Sequence, residues 1–334
     1  MSKIQSCGIE VSARELVVAG EGKATRRFAN TAAGHAALLR MLQRGDGVVR
    51  VVLEATGLYG LDLALALSGQ AGVEVMVANP RAVRHFAQAM MQRSKNDQLD
   101  AMVLREFGAR MPFTVWPRPQ QSTLKLWAIA RRLKALTEMC TAEKNRRHAA
   151  GASRAIPAIV RQDIARSLQF HERAIRRLRH QALACITEDG QLRHRYEQLR
   201  SVPGIGEVSA IQMLAELMLL PADRDVRQWV AYAGLDPREH SSGSSVRKYT
   251  RISKVGNRHL RQALYMPALS ALRCEPHLRG FYRHLLERGK SKRQAIMAVA
   301  RKLLHAIYGM FRSQSTYDGR RVYRLPSPRI EELT

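Results

Sequence analysis

An alternation of strand-like and helix-like segments fills the first 110 residues of the chain and limits the folds it can adopt. A β-branched run such as VVRVVL at 48–53 is followed by segments with apolar residues at helical spacing, such as 97–109. Three prolines between residues 112 and 119 end the alternation, and mainly helical spacing follows. We therefore predict an α/β part with a mixed sheet and packed helices, followed by an all-α part.

The predicted elements of the first part divide into strands and helices. The predicted strands are 4–11, 15–19, 48–53 and 73–77, and the predicted helices are 32–43, 61–68, 82–91 and 97–109. Two long helices, 122–148 and 159–186, then predict an antiparallel helical hairpin or an arm that pairs with another subunit. Ordinary bundle helices within one domain are an equally open interpretation.

The predicted domain boundaries follow these changes in pattern. We expect a first domain at 1–110, a linker and helical coiled-coil arm at 111–195, a helical domain with a serine loop at 196–315, and a loose tail at 316–334. Residues 234–253, rich in Ser, Gly and Arg, are predicted to be the loop.

The charge of the chain points to a polyanionic partner. Lys and Arg number 55 against 28 Asp and Glu, a net charge of +27, but residues 1–110 hold only 14 of the basic and 10 of the acidic residues. Such an excess favours nucleic acid as the partner and disfavours enzymes for small neutral substrates. The N-terminus shows no signal-peptide pattern and the four cysteines no zinc or disulfide spacing, so we expect a soluble cytoplasmic protein without membrane association.

Four carboxylates of the first part stand where strand and helix ends can bring them together. Glu10 lies in the first strand, Glu54 ends the strand 48–53, and Asp97 and Asp100 share one face of a helix. Converging carboxylates repel unless a cation lies between them, and their hard oxygens select Mg²⁺ or Mn²⁺. The alternative is four structural acids, with Asp97 as a helix cap or first-turn acid.

A serine among arginines is the second candidate site. In the run SSGSS at 241–245, Gly243 allows a flanking serine to approach phosphate closely, and His240 or a metal would activate the hydroxyl. The alternative is a flexible loop whose hydroxyls cap the backbone. Residues predicted to contact phosphate are Arg247, Lys248, Arg251, Lys254, Arg258 and Arg261, together with Gly204 and Gly206 of the turn SVPGIG. That turn is of the helix-hairpin-helix type, or is only a Gly-rich helix cap.

Ordered motifs over nearly the whole chain resemble one known family. They are CGIEVS at 7–12, FANT at 28–31, LEATGLY at 53–59, NP at 79–80, KNDQLDA at 95–101, SVPGIG at 201–206, AYAGLDPR at 231–238, SGSSVR at 242–247, SKVGNRHLRQALYMPA at 253–268 and the helix 301–309. The chain resembles bacterial insertion-sequence transposases that join a RuvC-like DEDD domain to a serine-bearing transposase domain, the bridge-RNA-guided recombinases.

The resemblance implies a fold, a chemistry and partners. It implies an RNase H-like domain in which Glu54, Asp97 and Asp100 are the last three DEDD acids, and Ser242 is the nucleophile. Glu10 departs from the family's aspartate. It further implies Mg²⁺ or Mn²⁺, a guide non-coding RNA of the bridge type, donor and target double-stranded DNA, a dimer that forms a tetramer during synapsis, and a nucleoid-associated bacterial protein.

Three other functions remain open at this point. The first is a RuvC-like, metal-dependent, junction-resolving nuclease that forms no covalent intermediate. The second is recombination through Tyr249, which lies between Arg247 and Arg251. The third is a non-catalytic scaffold that binds RNA and DNA.

Overall fold

The computed structural model describes residues 4–22, 24–45, 47–55, 57–92, 94, 96–242 and 246–325, with the backbone alone at 239–242 and 246–250. The chain forms two compact units, 1–118 and 119–334. In the ranges described, no helix has the length and apolarity needed to cross a membrane.

A five-stranded sheet forms the centre of the first unit. Its strands are β1 (Ile4–Val11), β2 (Glu15–Ala19), β3 (Thr25–Ala29), β4 (Val48–Glu54) and β5 (Val73–Ala78). The strand order is β3-β2-β1-β4-β5; β1, β4 and β5 run parallel, whereas β2 is antiparallel to both of its neighbours. The predicted mixed sheet is therefore confirmed.

Helices cover both faces of this sheet. They are α1 (Ala32–Leu42), α2 (Leu61–Leu67), α3 (Pro80–Ala89) and α4 (Asp97–Arg110). Val51 packs with Leu38 of α1 on one face, and Val52 packs with Leu104 of α4 on the other. Successive strand residues point to opposite faces, so β4 contributes to two separate cores.

The second unit begins with two long antiparallel helices, α5 (Gln121–Gly151) and α6 (Ala158–Glu188). Leu126, near the start of α5, shares a core with Cys185, near the end of α6, whereas Cys140 packs with Ile164 at the opposite end. The arrangement is the predicted antiparallel hairpin, and one end of it belongs to the main core of the unit.

The rest of the second unit is helical apart from one β-hairpin. The helices are α7 (Gly190–Arg200), α8 (Glu207–Leu217), α9 (Val226–Ala233), α10 (Arg258–Cys274), α11 (Pro276–Glu287), α12 (Lys292–Ser313) and α13 (Gly319–Val322), and the strands are β6 (Pro237–Ser242) and β7 (Val246–Ile252). Leu214, Leu264 and Leu303 are completely buried in the core that α8, α10 and α12 share. An α/β unit followed by a mainly helical unit is the predicted fold class.

Two sequence predictions are wrong. The segment 234–253 is not a loop, because it contains β6 and β7, with Ser242 paired opposite Val246. Main-chain hydrogen bonds form such a hairpin without a continuous apolar pattern, which is why the polar sequence concealed it. The described part of the predicted tail, residues 316–325, is also not loose, because it contains α13 and buries Val322.

Candidate active site

The two strand-borne acids lie on one face of the sheet. β1 and β4 are parallel, with Ile9 opposite Leu53, so Glu10 and Glu54 follow at the same level on neighbouring strands. Ile9 and Leu53 are buried in the core on the α1 and α2 side, and residues one position further along point to the opposite face. Glu10 and Glu54 therefore face the side that α4 covers, where both are half-buried.

Glycine allows α4 to approach this face closely. A Cβ on Gly8 would lie 2.1 Å from the carbonyl oxygen of Ala101 and 2.3 Å from the backbone nitrogen of Arg105. Two residues earlier on β1, the Ser6 hydroxyl donates a 3.0 Å hydrogen bond to the carbonyl of Arg105. The helix thus packs backbone to backbone on β1 and runs in the opposite direction.

This packing brings the helical acids to the end of the strands. Glu10 lies two residues after Gly8 on β1, a rise of about 6.6 Å along the strand. Asp97 lies about one helical turn before Ala101, which is about 6 Å in the same direction because α4 runs opposite to β1. Asn96 fixes the start of the helix, since its side-chain oxygen accepts from the backbone N–H of Leu99 at 2.8 Å. We therefore place the first turn of α4, with Asp97 and Asp100, beside the ends of β1 and β4.

These acids share an edge of the sheet without forming a ready-made metal site. Across the described ranges, no three His, Cys, Asp or Glu side chains are placed so that one metal ion could be held. Asp97 is exposed and Asp100 is half-buried. Carboxylate oxygens are the donors that Mg²⁺ and Mn²⁺ prefer, so the chemistry of the set fits the predicted ion. The role of the four acids as ligands stays a prediction.

The predicted nucleophile is at the turn end of the hairpin. Ser242 is the last residue of β6, and Val246 opposite it begins β7. Residue Gly243 lies outside the described residues, as do the side chains of His240, Ser242 and Tyr249. The side chains of Arg247 and Lys248 lie outside them too. Their predicted roles stay predictions.

The root of the hairpin is held by hydrogen bonds on both strands. The Ser253 hydroxyl donates to the Asp236 carboxylate at 2.5 Å, and the Ser253 N–H donates to the Asp236 carbonyl at 2.8 Å. The Lys254 N–H donates to the carbonyl of Gly234 at 3.1 Å. Gly234 has a φ of +63°, a left-handed conformation that ends α9 and directs the chain into β6.

A buried polar cluster supports the helix that follows the hairpin. Glu216 of α8 is 3% exposed and accepts a hydrogen bond from Nη2 of Arg131 in α5 at 3.2 Å. The Nε of Arg131 lies 2.8 Å from the other carboxylate oxygen as an ion-pair contact. The Asn257 amide donates to Glu216 at 2.6 Å and to the Tyr232 hydroxyl at 2.8 Å. The side-chain oxygen of Asn257 also accepts from the N–H groups of His259 and Leu260, which caps α10.

The same cluster changes the ionisation of His259. Burial, together with the nearby positive charges of Arg131, Lys134 and Arg258, lowers the pKa of His259 to about 4. The imidazole is therefore neutral at pH 7. The sequence pattern did not predict a cluster of Arg131, Glu216, Tyr232 and Asn257. One signal was present, since Glu216 interrupts the apolar run AIQMLAELMLL.

Some of the predicted phosphate-binding residues have structural roles. Gly204 has a φ of +97°, and a Cβ there would lie 2.7 Å from the backbone nitrogen of Ala271 in α10. The Arg261 guanidinium donates to the carbonyl of Ala233 at 2.8 Å, and burial lowers the pKa of Arg261. Both residues thus hold the helices around the hairpin together.

Other predicted phosphate-binding residues are open to solvent. Gly206 is exposed at the N-terminus of α8, where no side chain caps the helix. Arg251, Lys254 and Arg258 are exposed as well. An uncapped helix N-terminus and exposed cations suit contact with phosphate. Their role in binding nucleic acid stays a prediction.

Comparison with known proteins identifies two transposase domains in the chain. The model of the Transposase IS116/IS110/IS902 family matches residues 196–283, which include the hairpin β6–β7. A transposase model of the IS110 DEDD type matches residues 7–150, which include the four acids.

Individual relatives, matched over most of the chain or over part of it, carry the names of gene-inverting proteins or transposases. The pilin gene-inverting protein of Moraxella bovis is 28% identical over 298 residues, 88% of this chain and 90% of that protein, and the protein of the same name from Moraxella lacunata gives the same values. The transposase for insertion sequence element IS1111A of Coxiella burnetii is 32% identical over 143 residues, 41% of this chain and 36% of that protein.

These matches, with the fold, define a DNA recombination enzyme of the transposase class. Within that class the chain is similar to the IS110/IS116/IS902 family over residues 196–283 and to the DEDD transposase domain of the IS110 type over residues 7–150. The predicted enzyme class is confirmed. DNA as the substrate agrees with the high positive charge of the sequence.

Proposed function

We propose that the protein is an RNA-guided DNA transposase that cuts a strand through a covalent bond to Ser242 and exchanges strands between donor and target DNA. The DEDD and IS116/IS110/IS902 matches support the transposase chemistry. The position of Ser242 at the turn end of a hairpin supports its access to a DNA backbone.

The observation that carries the proposal is the placement of the acids at one edge of the sheet. Glu10 and Glu54 share a face by register, and Gly8 allows the start of α4 to reach the same edge. We infer that Glu10, Glu54, Asp97 and Asp100 hold Mg²⁺ or Mn²⁺ in an RNase H-like domain. When bound, the ion would lower the cost of negative charge on the phosphate.

The proposed cleavage is a transesterification. The hydroxyl oxygen of Ser242 forms a bond to phosphorus, and the bond from phosphorus to a deoxyribose oxygen breaks. The serine proton ends on the departing oxygen. The energy of the phosphodiester is kept in the serine ester, so strand exchange is the same step in reverse with a new deoxyribose oxygen. Arg247 and Arg251 would neutralise the phosphate during both steps.

A guide RNA would supply the sequence specificity. Most of the excess positive charge lies after residue 110, and Lys and Arg side chains can neutralise the phosphates of RNA as well as those of DNA. We propose that this part binds a non-coding RNA as well as donor and target DNA. We also propose a dimer that forms a tetramer in synapsis, associated with the bacterial nucleoid in the cytoplasm.

A covalent adduct is the direct test of the serine step. A DNA substrate nicked so that the cut strand diffuses away should trap the full chain as a protein–DNA ester in the presence of Mg²⁺. Ser242→Ala should abolish the adduct, whereas the neighbouring variant Ser241→Ala should keep it. Hydrolytic nicking without an adduct would favour a junction-resolving nuclease, and loss of the adduct in Tyr249→Phe alone would favour tyrosine chemistry.

The acids and the RNA need separate tests. Asp97→Asn combined with Asp100→Asn should abolish cleavage while DNA binding continues, and unchanged recombination would favour a scaffold. Sequencing of RNA that copurifies with the full chain should give one discrete non-coding species. A random mixture of cellular RNA would contradict guidance by RNA.

A further inference from the structure

A cavity lies beside the root of the hairpin in the second unit. It is open to solvent on one side, has a volume of about 480 Å³ and is lined by residues of α9, α11 and α12, by Asp236 and by Pro237, the first residue of β6. Its apolar wall is formed by Val230, Pro237, Phe281 and Ala298. A volume in this range is typical of sites for small organic groups.

Three cations line the same cavity. Arg227 is exposed, whereas Arg301 and Lys302 are half-buried. Within the part of the chain that the structure describes, none of the three forms an ion pair with an acidic side chain. The acid in the wall, Asp236, accepts a hydrogen bond from Ser253 and holds the hairpin root. The three cations outnumber this one carboxylate, and the excess of positive charge favours binding of an anion.

The cationic and apolar sides of the cavity meet at one aromatic ring. The Nζ of Lys302 lies 5.8 Å from the centroid of the Phe281 ring. Proteins that bind single-stranded nucleic acid combine aromatic rings for the bases with cations for the backbone. A simple inorganic anion would leave the apolar wall without a function, whereas a nucleotide has both an apolar face and a phosphate.

We propose that this cavity binds one unstacked nucleotide of a nucleic-acid strand. The base would lie on Phe281 and the apolar wall, and its phosphate on Arg227, Arg301 and Lys302. Pro237 and Ser242 are the two ends of β6, about 16 Å apart at strand rise. The site would therefore hold a nucleotide a few positions from the phosphate at Ser242, a placement that rests on the proposed function.

Binding and crosslinking test the site without any cleavage. The full chain with Ser242→Ala is mixed with one of two fluorescent single-stranded probes. The DNA probe is an oligothymidine with one 4-thiothymidine, and the RNA probe is an oligouridine with one 4-thiouridine. Anisotropy gives the Kd, and peptide mapping after irradiation locates the crosslink. A crosslink in 276–305 is expected, and the two probes distinguish DNA from RNA as the source of the nucleotide.

Matched variants separate the cavity from general charge attraction. Arg301→Gln and Arg283→Gln each remove one positive charge, but Arg283 is an exposed residue of α11 that does not line the cavity. Arg301→Gln should weaken binding about tenfold and reduce the crosslink, as should Phe281→Leu, whereas Arg283→Gln should change the Kd less than about twofold.

The outcomes distinguish this inference from the proposed function. If Arg301→Gln and Arg283→Gln changed the Kd equally, or if crosslinks formed only outside 276–305, the cavity would not be a nucleotide site. Either result would leave the proposed serine recombination intact. A chain that bound neither oligonucleotide would overturn both. The nucleotide site would be supported if Arg301→Gln lost the crosslink in the Ser242→Ala background but kept the covalent Ser242 adduct in the otherwise native chain.

Discussion

Removal of the buried carboxylate of Glu216 should destabilise the second unit strongly. The Glu216 side chain is 4% exposed, forms an ion pair with Arg131, and accepts one hydrogen bond from Arg131 and one from Asn257. In Glu216→Ala the Arg131 guanidinium would lose its counter-charge inside the unit. The Asn257 amide would keep the Tyr232 hydroxyl as its other acceptor.

The expected magnitude follows from the burial of the two partners. Removing one partner of a buried ion pair costs about 3–5 kcal/mol, because the other charge is left without compensation. The Arg131 side chain is 33% exposed, so water would solvate part of its charge. We therefore expect Glu216→Ala to lower the free energy of unfolding by about 3 kcal/mol, at the lower end of that range.

Urea unfolding followed by far-UV circular dichroism measures this loss. The control is Glu172→Ala, since the Glu172 side chain is 44% exposed and lies 3.6 Å from the Nζ of Lys144. An exposed pair of this kind contributes about 0–1 kcal/mol. If the midpoint of Glu216→Ala fell no further than that of Glu172→Ala at equal m-value, the buried cluster would not stabilise the unit as argued.

Two further predictions concern the sheet and the pH dependence. Gly8→Ala should lower the free energy of unfolding by about 1–3 kcal/mol, because its Cβ would meet the Ala101 backbone at 2.1 Å. Thermal unfolding of this variant should be compared with that of Gly20→Ala, where the new Cβ meets no described atom within 4 Å beyond its two chain neighbours. The pKa of His259, about 4 in the fold, lies below the value of about 6.5 expected when unfolded. Stability should therefore be full above pH 6.5 and decrease as the pH falls toward 4, and His259→Gln should reduce this decrease.

Each of these predictions has an outcome that contradicts it. Equal melting temperatures for Gly8→Ala and Gly20→Ala would mean that α4 does not pack on β1 as described. A stability profile between pH 7 and pH 4 that is the same in His259→Gln and in the native chain would mean that His259 does not titrate differently on folding.

The sequence determined the local elements and the candidate residues of the first unit. Apolar residues at alternate positions or at helical spacing reflect the geometry of a single segment, so the strand before Glu54 and the helix that begins at Asp97 were predictable. Ser242 was predicted as the nucleophile from the resemblance of its motif SGSSVR to the family, and that role stays a prediction. What these patterns did not contain was the partner of each segment.

The tertiary structure decided which residues meet. Gly8 reveals its role only when α4 lies on β1, and Gly204 only when α10 lies beside it. The hairpin β6–β7 is held by main-chain hydrogen bonds, and its polar sequence has no alternating apolar pattern from which strands could be predicted. Glu216 finds Arg131 and Asn257 because three helices pack together. Such contacts join distant parts of the chain, and their geometry is set by packing rather than by any local spacing.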